Sequence, residues 1–420
     1  MPGHAFPHVS RRLLLAAAAS LVPALAEAQG RRPIEVIHWW TSGGEGAAIR
    51  TIRRALEAEG WTWQDTAVEG PDVAKTAAIT RVLGGQPPSV MLWFVGQDLP
   101  GLYRDGLIRD LQGVAEAGKW DDVLPPELSS RMKVDGRYVV APADLHCGNW
   151  TFANTQALRR AGLDAPSTWP ELLEACPKLR DAGFIPVAFG GQPWQEASVF
   201  VMIVTGIGGV SLHRRLIAEH DPAAADSAEM VEVFRTFAAL KPFVDRASPN
   251  RSWAETAKLL STGRAALYFS GDWARGDLNK AGMTPEVDYL CRPAPGNAGI
   301  FSAVVDAFVM PRTDDPAISA AQDAFARATM RPDVQHDFNL AKGSIPPRTD
   351  VPLTGYDPCA QMSARLYRGG GTVLPSSSMG MTTAMRQAMY DVVHRFWSTE
   401  AADPKQAARD LRAAIERTRI

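Results

Sequence analysis

Residues 34–50, IEVIHWWTSGGEGAAIR, are the stretch from which the fold prediction starts. The stretch opens with an alternating apolar run, which is typical of a β-strand. Two tryptophans, Trp39 and Trp40, follow, and beyond a glycine-rich turn the apolar residues take helical spacing. A strand, a glycine turn and a helix N-terminus form the unit that binds ligands at the carboxyl edge of open α/β sheets. We therefore predict a ligand site here.

The paired tryptophans indicate what kind of ligand this is. An indole face suits the flat C–H face of a sugar ring, while polar neighbours bind the hydroxyls. Adjacent strand residues point to opposite faces of a sheet, so we expect at least one of Trp39 and Trp40 to contact ligand. The alternative is that both belong to the core.

Residues 1–28 have the pattern of an export signal. Arg11 and Arg12 precede an alanine-rich apolar run, and Ala26-Glu27-Ala28 matches a small-residue cleavage site. The arginine pair favours the twin-arginine route, although it also suits an ordinary positive n-region. No later apolar run is expected to reach the roughly 18 residues of a membrane helix. We predict a soluble periplasmic protein.

Length and composition argue against several classes of protein. A chain of 420 residues is too long for one ordinary core, so two domains are expected. A net charge of −2 gives no electrostatic case for nucleic acid binding. No two histidines lie at metal-ligand spacing, and we predict neither a metal site nor a cofactor. Four cysteines allow three full pairings, which the sequence alone leaves open: Cys147, Cys176, Cys291 and Cys359.

Strands alternate with helices along the chain, which predicts α/β layers. Several loops combine an aromatic, a glycine and a polar residue, as in GGQPWQ at 190–195 and SGDWARG at 270–276. Asp306 lies inside an apolar strand, where an unpaired carboxylate is costly, so it needs either ligand or Lys342 as a partner. Asp272 is a candidate ligand contact, and the alternative is that it caps a helix.

Four segments taken in order, HWWTSGGE, GGQPWQ, SGDWARG and NLAKGSIPPR, resemble the periplasmic sugar-binding proteins of ABC importers. The resemblance is to the glucose/mannose-binding type of the extracellular solute-binding proteins. It implies an α/β fold of the type II periplasmic binding kind, with two lobes joined by a hinge and ligand in the cleft between them. We expect lobe one at 33–141 plus 300–345 and lobe two at 142–299 plus 346–420.

The same resemblance implies the contacts and the disulfide. The residues expected to bind ligand are Trp39, Trp40, Glu45, Phe94, His146, Trp194, Gln195, Asp272, Trp273, Asp306, Lys342 and Met379. A disulfide is expected between Cys291 and Cys359, with Cys147 and Cys176 free. The alternative is four free buried thiols.

Several residues differ from those of the glucose-binding type, and we expect these differences to change the ligand specificity. Leu92, Phe94 and Met379 stand where the glucose type carries polar groups, and Ser377 stands where it carries a tryptophan. The segment at 144–147, DLHC, replaces the Asn and the Arg of the N-x-H-R pattern. A site built for hydroxyls discriminates strongly, so a deoxy- or substituted sugar, a glycoside or a cyclitol is favoured over free glucose.

We therefore predict a monomeric, non-enzymatic binding component of a carbohydrate importer, with a sugar ligand and membrane permease subunits as partners. An alternative is a protein that presents its ligand to a chemoreceptor or sensor kinase. A periplasmic glycoside hydrolase is a further alternative, since Glu45, Asp272 and Asp306 could supply its two carboxylates. Neither a nucleophile elbow nor HExxH occurs in the sequence.

Overall fold

The computed structural model describes residues 33–419, so the predicted export signal lies outside the described residues. The α/β prediction is confirmed. In chain order the strands are β1 Ile34–His38, β2 Trp63–Ala67, β3 Val90–Phe94, β4 Lys133–Val134, β5 Arg137–Tyr138, β6 Ala141–Pro142, β7 His146–Cys147, β8 Trp150–Asn154, β9 Ile185–Ala188, β10 Ala265–Ser270, β11 Tyr289–Pro293, β12 Ile300–Val304, β13 Asp306–Val309 and β14 Thr372–Pro375.

The helices surround these strands. In chain order they are α1 Gly43–Ala58, α2 Pro71–Leu83, α3 Leu99–Arg104, α4 Gln112–Ala117, α5 Trp120–Val123, α6 Pro126–Arg131, α7 Thr155–Ala161, α8 Trp169–Asp181, α9 Pro193–His213, α10 Pro222–Ala225, α11 Ala228–Ala239, α12 Trp253–Ser261, α13 Trp273–Lys280, α14 Pro316–Thr329, α15 Pro332–Lys342, α16 Pro358–Arg365, α17 Ser377–Gly380, α18 Thr383–Ser398 and α19 Pro404–Thr418. Short π-helical turns extend α9 over Arg214–Ala218 and α16 over Leu366–Gly370, and a 3₁₀ turn covers Lys241–Phe243.

Two separate sheets form the centres of two lobes. The first has the order β2-β1-β3-β13-β6, with β1 parallel to both its neighbours and β13 antiparallel to β3. The second has the order β11-β8-β10-β9. The chain therefore builds two layered α/β bodies, each around its own sheet.

A third sheet, β14-β12-β7, lies where the chain passes between the two bodies. One residue, Val305, separates β12 from β13 of the first sheet, and residues 143–145 separate β6 from β7. The segment after Ile345 still contacts the first body, since Arg348 donates to the Met330 carbonyl and Thr349 to the Val123 carbonyl.

Local sequence explains where several helices begin. In α1, the Ser42 hydroxyl accepts from the Glu45 backbone N–H, and the Glu45 carboxylate accepts from the Ser42 N–H. Thr168 with Glu171 forms the same capping box at α8. Such a cap stabilises a helix by about 1 kcal/mol.

One prediction about apolar segments is wrong. The helix Pro193–Ala218 is long and apolar enough to cross a membrane by length and composition. However, 61% of its apolar window is buried inside the protein, where it packs against α11 and α18. It is therefore the core helix of the second body, and its apolar character reflects the burial of most of that window.

The cysteines pair as the resemblance implies. A disulfide joins Cys291 in β11 to Cys359 in α16, with 5.8 Å between their Cα atoms. Cys147 and Cys176 are buried free thiols.

Candidate functional site

A cavity of about 140 Å³ lies between the two bodies. This volume is below the roughly 300–1,000 Å³ of pockets for drug-sized ligands, so it favours a small ligand. Eight of the predicted residues line it: Trp39, Glu45, Phe94, His146, Trp194, Trp273, Asp306 and Lys342.

The other four predicted residues lie behind the wall. Trp40 is buried beside the cavity, where its ring meets Phe308 edge-on with 5.6 Å between centroids. Gln195 turns away, since its amide donates to Gln192 Oε1 and to the Arg251 carbonyl. Met379 is buried, and its neighbour Ser378 reaches the cavity instead.

Asp272, the fourth, supports His146. It occupies the N-cap position of α13, but its side chain makes no capping bond. One oxygen hydrogen-bonds His146 Nδ1, and the other accepts from the Cys147 backbone N–H at 3.0 Å. The capping alternative is therefore wrong, and Asp272 positions the imidazole.

Aromatic rings enter the cavity from both bodies. Trp39 lies 4.8 Å from Phe94, measured between ring centroids, on the side of the first sheet. Trp273 lies 6.3 Å from Trp194 on the side of the second. The Trp273 indole N–H is buried without a hydrogen-bond partner among the described residues. A flat ligand between these pairs would meet ring faces on both sides.

Glu45 and Lys342 form a buried ion pair on the wall. Lys342 Nζ lies 3.3 Å from Glu45 Oε1, and the other Glu45 oxygen accepts from the Thr41 and Ser42 N–H groups. Burial lowers the pKa of Lys342, but the neighbouring carboxylates, Glu45 foremost, outweigh it and hold that pKa above its usual value. The ammonium therefore keeps its charge and has donors left for a ligand.

Asp306 presents one free oxygen to the cavity. Its Oδ2 accepts from Trp40 Nε1 at 3.2 Å, and among residues 33–419 no group hydrogen-bonds Oδ1. Burial and then the nearby Asp144 raise the pKa of Asp306 to about 7. The sequence left ligand or Lys342 as the partner, whereas the structure supplies Trp40.

His146 lies between two carboxylates. Its Nδ1 bonds Asp272, and its Nε2 lies 3.4 Å from Asp144 Oδ2. Burial opposes the charged imidazolium, yet Asp144 and Asp272 raise the pKa of His146 to about 9. His146 is therefore a positively charged group held between two carboxylates.

Sequence reasoning missed the part of the cavity far from the first motif. Asn149 holds the floor there, since its side chain accepts from the Ser302 N–H at 3.0 Å and donates to the Ile300 carbonyl at 3.1 Å. Its amide is thus satisfied by protein. The missed lining residues are Thr41, Glu69, Gly70, Pro71, Asp72, Gly148, Asn149, Gln192, Ser198, Val201, Met202, Thr205, Trp253, Ser302, Val304, Ser376, Ser377, Ser378, Arg386 and Tyr390.

Of the residues that differ from the glucose type, some line the cavity and others belong to the core. Phe94 and Ser377 line the cavity. Leu92 instead lies in the first sheet opposite Phe308 and is 2% exposed, so its apolar character serves packing.

Contacts between the bodies close the cavity on two sides. At one side Asp277 Oδ1 accepts from the Gly44 N–H at 2.7 Å, and Lys280 Nζ donates to the Gly43 carbonyl. At the other, Arg386 of α18 donates to Asp72 of α2 at 2.6 Å. The structure is therefore a closed form.

Comparisons with known proteins agree with this architecture. The family model described as "Bacterial extracellular solute-binding protein" matches residues 57–362. A "Probable sugar-binding periplasmic protein" of Rhizobium meliloti is 35% identical over 407 residues, covering 95% of this chain and 97% of the relative. An "Uncharacterized ABC transporter extracellular-binding protein" of Pyrococcus horikoshii is 25% identical over 404 residues, covering 91% and 87%.

Among solved structures, the bacterial solute receptor AcbH is similar in fold. That structure is described as having an exclusive preference for β-D-galactopyranose. It matches with a TM-score of 0.79 and 18% identity, covering 92% of this chain and 98% of the receptor. At this identity the likeness concerns the fold alone.

Proposed function

Because the chain belongs to the bacterial extracellular solute-binding protein family, we propose that it is the periplasmic binding component of a carbohydrate ABC importer. It holds a sugar or sugar derivative between its two bodies and delivers it to the permease subunits in the membrane. The names of the relatives from Rhizobium meliloti and Pyrococcus horikoshii support the compartment, the ligand class and the transporter type.

The observation that carries the proposal is the composition of the cavity wall. Indole rings approach from both bodies, and between them lie a buried ammonium, Lys342, and buried carboxylates, Glu45 and Asp306. Stacking on apolar ring faces combined with charge-assisted hydrogen bonds to hydroxyls is what a pyranose requires. The small volume supports one sugar ring, or one ring with a modest substituent.

We further propose that the lobes comprise 33–141 plus 300–345 and 142–299 plus 346–420, and that they move as hinged units. The third sheet supports a hinge, because β12 continues into β13 after one residue and β14 pairs beside it. Opening at these crossings would expose Trp39 and Trp273 on opposite walls. Hinge closure around ligand is a known motion of periplasmic binding proteins.

The ligand we favour carries an apolar group at one position. On the side of α9 the wall is formed by Val201 and Met202, and the Thr205 hydroxyl is already bonded to the Val201 carbonyl and to His213. This side offers ligand few unsatisfied polar groups. A deoxy sugar or an alkyl glycoside fits it better than a hydroxyl-rich hexose.

A thermal-shift screen of the mature protein against hexoses, deoxy sugars, alkyl glycosides and cyclitols tests the proposal. A ligand at a hundredfold excess over its Kd stabilises the native state by about 2.7 kcal/mol. A rise in Tm with one carbohydrate class is expected, largest for ligands with an apolar substituent. Absence of any shift across the panel contradicts the carbohydrate assignment. A larger shift with free glucose contradicts only the specificity argument.

A further inference from the structure

Three buried side chains at or directly behind the cavity wall bring one donor atom each close together. They are Asp144, His146 and Asp306, and one donor atom from each lies within 4.8 Å of the others. Asp144 and His146 are 0% and 1% exposed, and within residues 33–419 Asp144 Oδ2 and His146 Nε2 have no partner other than their 3.4 Å contact with each other. Buried polar atoms without partners are costly unless something binds them.

The spacing of these two atoms is long for a charge-assisted hydrogen bond and matches the separation of two ligands on one ion. Asp144 Oδ2 and His146 Nε2 are 3.4 Å apart. A charge-assisted N–H···O bond has a length of about 2.7–2.9 Å. Two ligands at about 2.1 Å from one ion, at a tetrahedral angle, lie roughly 3.4 Å apart.

Each of the three groups also has a supporting hydrogen bond from a neighbouring residue. His146 Nδ1 bonds Asp272, the Trp40 indole donates to Asp306 Oδ2, and the Asp306 N–H donates to Asp144 Oδ1 at 3.0 Å. A carboxylate behind a histidine is the usual outer support of a metal-ligating imidazole. The cluster therefore has oriented ligands and supporting groups.

The local charge favours a cation as well. Lys342 is paired with Glu45, although its ammonium also interacts with Asp144 and Asp306. Three carboxylates, Asp144, Asp272 and Asp306, then surround a single imidazole. A divalent cation compensates such a set when the imidazole is neutral, as metal ligation requires.

We propose that Asp144, His146 and Asp306 form a binding site for a divalent cation of the zinc or manganese class. One imidazole nitrogen and two carboxylate oxygens match the ligand preferences of these ions. His146 and Asp306 line the cavity, so a remaining coordination position would face it. A ligand hydroxyl in that position is a consequence that rests on the proposed function. The spacing of histidines in the sequence predicts no metal site, but that criterion does not apply here because two of the three ligands are aspartates.

Calorimetric titration of the mature, tag-free, chelator-treated protein with ZnCl₂ and separately with MnCl₂ tests the site. We expect one equivalent of one of these ions to bind, and D144N and H146Q to weaken binding at least about 100-fold. Asp144→Asn keeps the amide oxygen for the Asp306 N–H and so preserves the packing. The same equivalent of ion should raise the Tm of the native sequence and not that of D144N.

Asp121→Asn is the matched control. It removes one largely exposed carboxylate, which pairs with Lys133 away from the cavity, and should leave metal binding unchanged. Absence of one-to-one binding by either ion overturns the proposal, as does binding that D144N retains. In that case the cluster is an imidazolium held between two carboxylates. The titration contains no carbohydrate, so a negative result would leave the proposed function untouched.

Discussion

Lys342 Nζ lies 3.3 Å from Glu45 Oε1, and both side chains are almost completely buried. The pair joins the C-terminal end of α15 to the first turn of α1, nearly 300 residues away in sequence. The ion pair therefore joins the wall of the cavity to two helices that pack in the first body.

Lys342→Met should destabilise the protein by about 3–5 kcal/mol, because Glu45 is left as a buried charge without its partner. Urea unfolding of the ligand-free protein measures this. Lys133→Met is the control, since Lys133 pairs with the largely exposed Asp121 and should cost about 1 kcal/mol or less. Equal losses in the two variants would contradict the role assigned to the buried pair.

Trp39→Ala should weaken carbohydrate binding about 10- to 100-fold, or about 1.4–2.8 kcal/mol, through loss of a stacking face. Calorimetry with the ligand found in the screen measures this. Trp63→Ala is the matched control, because that ring lies on β2 against Phe325, outside the cavity. If both variants bind equally well, Trp39 is not a ligand contact.

Glu196→Gln should stabilise the protein at pH 8 and have little effect near pH 4.5. Burial raises the pKa of Glu196 to about 7, although the His394 side chain 2.8 Å away opposes this. The folded state therefore binds the proton more tightly than the unfolded state, and the wild type loses stability as pH rises from about 4.5 to about 7. Each pKa unit is worth about 1.4 kcal/mol, so a gain of about 3 kcal/mol is the upper estimate. Thermal unfolding across this range checks it, and a pH-independent effect of the variant would contradict it.

Removing the Cys291–Cys359 disulfide by double substitution to Ser should cost about 4 kcal/mol. The bridge closes a loop with a sequence separation of 68, and loops of this length restrict the unfolded chain substantially. A reducing agent should lower the Tm of the wild type and leave that of the double variant unchanged. A Tm that is insensitive to reductant in both would show that the bridge does not form in solution.

The sequence predicted best where local chemistry decides structure. The strand that begins at Ile34 and the helix beyond the glycine-rich turn depend on neighbouring residues, and both form as expected. Alternation at the first strand correctly separates the two tryptophans, because Trp39 lines the cavity and Trp40 is buried behind it.

Prediction failed where distant segments meet. Arg386 and Tyr390 reach the cavity from α18, and nothing near them in sequence indicates a ligand site. The partner of Asp306 was missed for a related reason. Trp40 lies 266 positions away, and its sequence context indicates a stacking ring, whereas its N–H is the group that donates to the carboxylate.

The Asp72–Arg386 and Gly44–Asp277 bonds span the two bodies without involving a ligand. Each one lowers the free energy of an empty closed molecule relative to an open one. A larger closed fraction reduces the conformational penalty on binding and so tightens the apparent Kd. Empty molecules that are already closed would also meet the permease without a ligand. These two bonds therefore set a trade-off between capture of scarce solute and unproductive encounters at the membrane.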